Sequence, residues 1–290
     1  LFASGRFPGL SLRHFAAVRA DWGSNAANLA SIATELNVLP SALLFVDDNP
    51  VELAEVARAV PEVELLLANS DGARTAEMLA RHPGLYRLRP DTAAAVRTAD
   101  LRASQEREQL RAAAANPDEY LASLRMVIDI FENCREHAPR IHELSNKTNQ
   151  FNLCVARLSE AQVQEALGEG HLVVTVHVRD YLADSGIVAV LLFRIAGVDA
   201  VMTEFLLSCR AFGRRIEHVA LRWAIRRLRQ LGCERLLFEA REAPRNQPAL
   251  EFLQRLIPDG GRSANAAELE AVLNDLTRNH PAEVRIRQPT

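Results

Sequence analysis

After Ser24, apolar residues recur every three to four positions. Ala26, Leu29, Ile32, Ala33 and Leu36 form one stripe, which predicts a helix with Ser24 as its N-cap. Pro40 and Ser41 interrupt the pattern, and the continuous apolar run 42–46 that follows has the length of a buried strand. It stops at Asp47-Asp48-Asn49-Pro50. Residues 51–59, with Leu53 and Val56 on one side, predict a second helix, Pro61 breaks it, and 63–67 reads as another short strand. Strand, helix and strand with connections this short form a βαβ unit, so the two strands should be parallel.

The pattern then changes. Residues 92–115 are rich in Ala, Arg and Glu with few large apolar side chains, and read as a polar helix connecting two domains. Beyond it the spacing predicts a strand at 124–131, helices at 139–146 and 159–167, and strands at 171–178, 186–195 and 200–207. The segment Ser208-Cys209-Arg210-Ala211-Phe212-Gly213-Arg214-Arg215 leads into a long helix at 216–231. A strand at 234–240, a helix at 247–256 and an amphipathic helix at 263–276 complete the chain. This order, β-α-α-β-β-β-loop-α-β-α, predicts an α+β domain with a mixed sheet.

Composition narrows the function classes. With 290 residues, 48% apolar and 24% charged, the chain is long enough for two domains with separate cores. A net charge of −3 argues against a nucleic-acid binder, which needs a basic excess or stripe. The longest apolar run, 186–193, is too short to span a membrane. Cys134, Cys154, Cys209 and Cys233 lie far apart with no C-x-x-C, so reduced thiols and a cytoplasmic location are expected rather than disulfides or zinc. The first residue is Leu1 and no signal-peptide pattern follows, which suggests an N-terminally truncated chain.

The clearest chemical signal is Asp47-Asp48 at the carboxyl end of a buried strand, where open α/β sheets bind ligands. Adjacent carboxylates there are relieved by a hard cation such as Mg²⁺. The competing reading is a helix cap, with Asn49 at the N-cap and Pro50 at N1. Arg210–Arg215 precedes a helix N-terminus; its amides with Arg214 and Arg215 are candidates to cradle an anion, and the competing reading is a loop of solvated Arg residues. The Arg222, Arg226, Arg227 and Arg229 helix reads as a solvated basic face or as a dock for an acidic partner. Cys209 is either a small buried residue or a thioester-forming nucleophile.

These residues carry a family resemblance. Asp47-Asp48-Asn49-Pro50 with Glu52, after residues 15–22 and Asn28-Leu29, resembles the late part of a haloacid-dehalogenase-type domain of subfamily IIIC, as found in FkbH-like proteins. Lys147-Thr148-Asn149-Gln150-Phe151-Asn152, the segment 179–186, and 205–210 with Gly213, Arg214 and Glu217 resemble that family's acetyltransferase-like C-terminal domain. The resemblance implies a partial Rossmann-like domain over 1–91, a helical connector over 92–122, a GNAT-like α+β domain over 123–258 and a tail over 259–290. It implies a phosphatase and glyceryl transferase that loads a three-carbon acyl unit from a phosphorylated donor onto an acyl carrier protein in polyketide-type biosynthesis. Mg²⁺ would sit at Asp47 and Asp48. Lys147, Asn149, Gln150, Asn152, Cys209, Arg210, Gly213 and Arg214 would line the acyl and pantetheine site, with phosphopantetheine or coenzyme A as ligand. No membrane or nucleic-acid partner is implied.

The chain departs from the family pattern. No Asp-x-Asp nucleophile motif occurs, Asn25 stands at the family's Lys position, Arg215 replaces the last Gly of the Arg-x-x-Gly-x-Gly loop, and Leu253 follows Phe252 where the family often has Tyr. Two alternatives stay open beside the glyceryl transferase: a catalytically silent module that binds a carrier protein, and a CoA-dependent acyltransferase.

Overall fold

A computed structural model describes residues 14–36, 38–86, 92–257 and 261–287. The chain divides into two compact units, Leu1–Leu101 and Arg102–Thr290. Residues 1–13 and 87–91, at the two ends of the first expected domain, lie outside the described residues.

In the first unit, α1 (Asn25–Glu35) begins where Ser24 accepts a hydrogen bond from the Ala27 N–H, as its sequence predicts. Strand β1 (Leu44–Asp47) leads through α2 (Pro50–Ala59) to β2 (Glu64–Leu67), and the two strands pair in parallel from Leu44↔Glu64 to Asp47↔Leu67. Ala26, Val56 and Val63 close the small core of this βαβ unit. A helix absent from the expected elements, α3 (Gly72–Ala80), follows with Asp71 as its cap, and none of its residues is fully buried.

Helix α4 (Thr92–Ala113) crosses the division between the units. Expected as a polar connector, it buries Ala103 and Arg107 within the second unit. Its polarity there reflects an internal ion pair as well as solvent.

The second unit is a three-layer structure. After α5 (Pro117–Ser123) come β3 (Val127–Glu132), α6 (Ala138–Lys147), the two-residue strand β4 (Phe151–Asn152) and α7 (Glu160–Ala166). Strands β5 (His171–Arg179), β6 (Asp184–Ala196) and β7 (Asp199–Leu207) form an antiparallel meander. Helix α8 (Ile216–Gln230) crosses over to β8 (Arg235–Phe238), which is parallel to β7. Then follow α9 (Gln247–Leu256), β9 (Ser263–Asn265), α10 (Ala266–Thr277) and β10 (Glu283–Arg287). The sheet order is β10-β3-β5-β6-β7-β8-β9, with β4 alongside β7.

One sheet face packs on α8, α9 and α10 through Ile128, Val174, Phe193, Ile225, Phe252 and Leu273. The other packs on α6 and α7 through Val173, Val190, Leu192, Ile141 and Val163. The expected tail is more than one helix: 263–265 and 283–287 are strands of the same sheet. Those two pairings span about 30 and about 155 residues of chain, and nothing local in so short a segment announces them.

Candidate functional site

The acidic edge of β1 resolves as a helix cap. Asp47 Oδ1 accepts from the Asn49 N–H at 2.8 Å, and Asn49 Oδ1 accepts from the Val51 N–H at 3.0 Å. Asp47 is half-buried and Asp48 exposed. Among the described residues, no group of three or more His, Cys, Asp or Glu side chains is placed to hold a metal ion. Mg²⁺ is commonly held by one or two carboxylates together with waters and substrate phosphates, and here Asp47 already spends one oxygen on the Asn49 N–H. Asn25, at the position where the family carries Lys, donates to Glu52 Oε2 at 2.8 Å and ties α1 to α2.

The segment from Lys147 to Asn152 is organised around Arg157. The guanidinium Nη1 donates to the carbonyls of Ser145, Asn146 and Thr148 at 2.9, 2.9 and 3.0 Å, and Nη2 to Asn149 Oδ1 at 2.5 Å. Those carbonyls belong to the last turn and C-cap of α6, so one cation caps a helix end. Lys147 pairs with Glu143 at 2.9 Å on the exposed side, and Gln150 is half-buried. Asn152 is fully buried; it donates to Thr148 O at 3.2 Å and accepts from the Val155 N–H at 2.7 Å. Its own carbonyl accepts from Asn246 Nδ2 at 2.8 Å. These four expected ligand contacts thus sit in a capped helix end anchored by buried Phe151.

The loop before α8 is also internally engaged. Arg214, expected to meet phosphate, is completely buried and donates to Asp180 Oδ2 at 2.9 Å, Ser185 Oγ at 3.1 Å and Arg210 O at 2.5 Å. Arg107 makes a two-pronged pair with the same carboxylate at 2.9 and 3.1 Å, and the Leu182 and Ala183 N–H groups add two bonds. Burial alone would raise the Asp180 carboxyl, but Arg107 and then Arg214 hold it below the ordinary carboxylate range. Arg210 donates to Ser185 O at 3.2 Å, and Arg215 pairs with Asp118 at 2.9 Å. Gly213 has φ +74°, a conformation that favours glycine and turns the chain into α8. Cys209 is exposed, contrary to the small-buried-residue reading, because a 3₁₀ turn at Cys209–Ala211 lifts it out of the line of β7. The basic face of α8 is largely paired as well: Arg222 with Thr277, Arg227 with Glu132 and Arg229 with Glu270.

Sequence reasoning passed over the most chemically distinctive group, Glu204. Across β6 and β7, Leu192 pairs with Glu204 but Phe193 pairs with Met202, so Thr203 is an extra residue in a β-bulge. Ala200 and Met202 before the bulge, and Phe205 and Leu207 after it, lie in the same core. Strict alternation would have sent Glu204 into that core; the bulge turns it to the opposite face. There it is fully buried, accepting from the Ala156 N–H at 3.2 Å and from its neighbour Phe205 N–H at 3.1 Å. Burial pushes its carboxyl up to about 7, while those N–H groups, that of Cys154 and the Arg157 charge act the other way.

Ala156 lies between two residues in the left-handed region, Val155 at φ +56° and Arg157 at φ +52°. A β-branched residue there is a strained outlier, and such strain persists only where surrounding contacts over-determine the backbone. Cys154 completes the cluster, its Sγ donating to Met202 O at 3.7 Å; burial and then Glu204 and Glu239 push its thiol up. Met-Thr-Glu-Phe, two polar residues inside an apolar strand run, was the one available sign of the bulge.

Comparison with solved structures finds similarity to acetyltransferases. The ribosomal-protein-S18-alanine N-acetyltransferase of Escherichia coli is 14% identical over 45% of this chain and 76% of its own, at a TM-score of 0.36. An acetyltransferase of the GNAT family from Desulfovibrio desulfuricans is 13% identical over 44% of this chain and 83% of its own, at 0.37. The PaiA N-acetyltransferase of Thermoplasma acidophilum, solved in complex with coenzyme A, is 14% identical over 44% and 87%, at 0.33. No family model matches the chain, and no curated protein matches it by sequence. Among the described residues, no helix is long and apolar enough to cross a membrane.

Proposed function

We propose that the second unit is an acyltransferase-type domain that accepts a thioester, on coenzyme A or on the phosphopantetheine of a carrier protein, with Glu204 as the proton acceptor for the attacking nucleophile. The observation that carries this reading is the burial of Glu204 on β7 beside a bulge, with an acidity near neutral pH. A general base works best when its pKa lies near the operating pH, and a buried carboxylate reaches that range without a metal. In this reading the ionised carboxylate takes the proton from the acceptor as it attacks the thioester carbonyl, and the thiolate leaves.

Glu204 has no solvent exposure, so this reading requires a local opening, for which the strained turn at Val155–Arg157 over its carboxylate is the candidate. The motif resemblance of 147–152 and 205–214 supports the choice of a thioester, and a three-carbon acyl unit delivered to a carrier protein is its finer form.

The test is calorimetry with coenzyme A and with a holo carrier protein, followed by chromatography of thioester turnover for the wild type and Glu204→Gln. Binding by both proteins, with turnover lost in the variant, supports the reading. Binding with no turnover in either favours the silent carrier-binding module. No binding of either ligand overturns both.

A further inference from the structure

The outer strand β10 has a feature the reading above does not use. It is an edge strand, pairing only with β3 among the described residues. Its pairing with β3 is parallel, and the Glu283 N–H donates to Met126 O at 3.0 Å. In a parallel ladder alternate residues bond to the same neighbour. Glu283, Arg285 and Arg287 therefore face β3 with their backbone groups, while the N–H and C=O of Val284 and Ile286 point away from the sheet.

Those same two residues are exposed apolar side chains, at 38% and 54% of their full surface. Natural sheets blunt their edges with short strands, prolines, bulges or charged side chains. The opposite edge follows that rule, since β9 is only Ser263–Asn265. The β10 edge has five residues, no proline and no register shift against β3. Its charges are also neutralised in place. Arg285 forms a two-pronged pair with Glu283 at 2.7 and 2.9 Å, and Arg287 bonds Asp129 at 2.7 Å.

We infer that β10 pairs antiparallel with β10 of a second copy of this chain, about a twofold axis at Arg285. The sequence Glu283-Val284-Arg285-Ile286-Arg287 is self-complementary in that arrangement. Val284 faces Ile286 of the other copy in the two hydrogen-bonded positions, which are the residues with free outward groups. Glu283 faces Arg287 of the other copy at both ends, an opposite-charge cross-strand pair. The two Arg285 side chains meet on the axis, each already paired with its own Glu283. The interface is isologous and closes at two copies. An extended peptide could use the same backbone groups, but it would not be selected by the charge order Glu-x-Arg-x-Arg.

A five-residue edge is small beside a standard interface of about 1,600 Å², so the dimer is concentration-dependent, with a Kd between about 10 µM and 1 mM. Sedimentation equilibrium of the full chain across that range reads it directly. The wild type is expected to move from monomer to dimer. Val284→Pro removes an outward N–H that the β3 ladder does not use, and edge strands tolerate proline. It should abolish the dimer with an unchanged circular dichroism spectrum. Ile286→Lys is the second variant, with the same expectation and no change to the backbone. Glu283→Arg, which sets like charges across both ends, should raise Kd about tenfold. A wild type that stays monomeric at about 1 mM overturns the inference. So does a dimer that survives both Val284→Pro and Ile286→Lys undiminished.

Discussion

The Glu204 carboxylate accepts a hydrogen bond from the backbone nitrogen of Ala156 at 3.2 Å, across a turn whose flanking residues are both left-handed. Its acidity follows from that enclosure. The folded-state pKa is raised to about 7, whereas an unfolded Glu titrates near about 4.3. Glu204 therefore contributes stability that is full below about pH 4.3 and is lost as pH rises to about 7, a loss of about 3–4 kcal/mol. Urea unfolding of wild type and Glu204→Gln between pH 4 and 8 measures it. The difference in unfolding free energy should shift in favour of Gln as pH rises and level off above about 7. A constant difference would remove the buried, shifted carboxyl from the account.

Asp180 titrates in the opposite sense. Its folded pKa is lowered, so its contribution is present above its unfolded pKa and is lost as pH falls through the folded value. Asp180→Ala leaves Arg107 and Arg214 buried without their shared carboxylate and should cost about 3–5 kcal/mol at neutral pH. The variant should also lose the wild type's acid dependence below about pH 4, well separated from the Glu204 range. Denaturant midpoints of the two proteins at pH 3 and pH 7 decide this.

One guanidinium nitrogen of Arg157 donates to the carbonyls of Ser145, Asn146 and Thr148 at the end of α6. Arg157→Ala should cost about 2–3 kcal/mol, the range for hydrogen bonds made by a charged group. Lys should rescue little, because a point charge cannot reproduce the fork. Hydrogen exchange should show the amides of 153–158 accelerated in both variants. Protection equal to wild type in Arg157→Ala would mean that the packing of Phe151, not Arg157, holds this turn.

The four thiols differ in access. Cys134, Cys154 and Cys233 are buried with their thiols pushed up chiefly by burial, and Cys209 is exposed. Brief iodoacetamide treatment at pH 8 should add one label, at Cys209, because only an accessible thiolate reacts. Intact mass and peptide mapping read the result, and a label on Cys154 would show that 154–157 opens readily.

Magnesium should leave this chain's melting unchanged at millimolar concentration, since a ligand stabilises only a fold that binds it. A rise in Tm that Asp47→Asn abolishes would return the acidic edge of β1 to a metal role.

Much of the secondary structure was legible from residue pattern alone. Ser24 and Asn49 cap their helices where the local sequence requires it, and the parallel pairing of β1 with β2 follows from the helix that carries the chain back between them. The order β-α-α-β-β-β-loop-α-β-α was readable because each element is long enough to show its own period. Local pattern does not report partners, however. Arg214 reads in the sequence as a candidate for an external anion, and only Asp180, 34 residues away in the chain, reveals it as half of a buried ion pair. Glu204 lies where period-two counting would bury it among Phe205 and Met202, and one extra residue at Thr203 reverses the face. Short-range periodicity is set by backbone geometry and survives in the sequence. Register, bulges and charge partners are set by contacts across the fold, which no window along the chain contains.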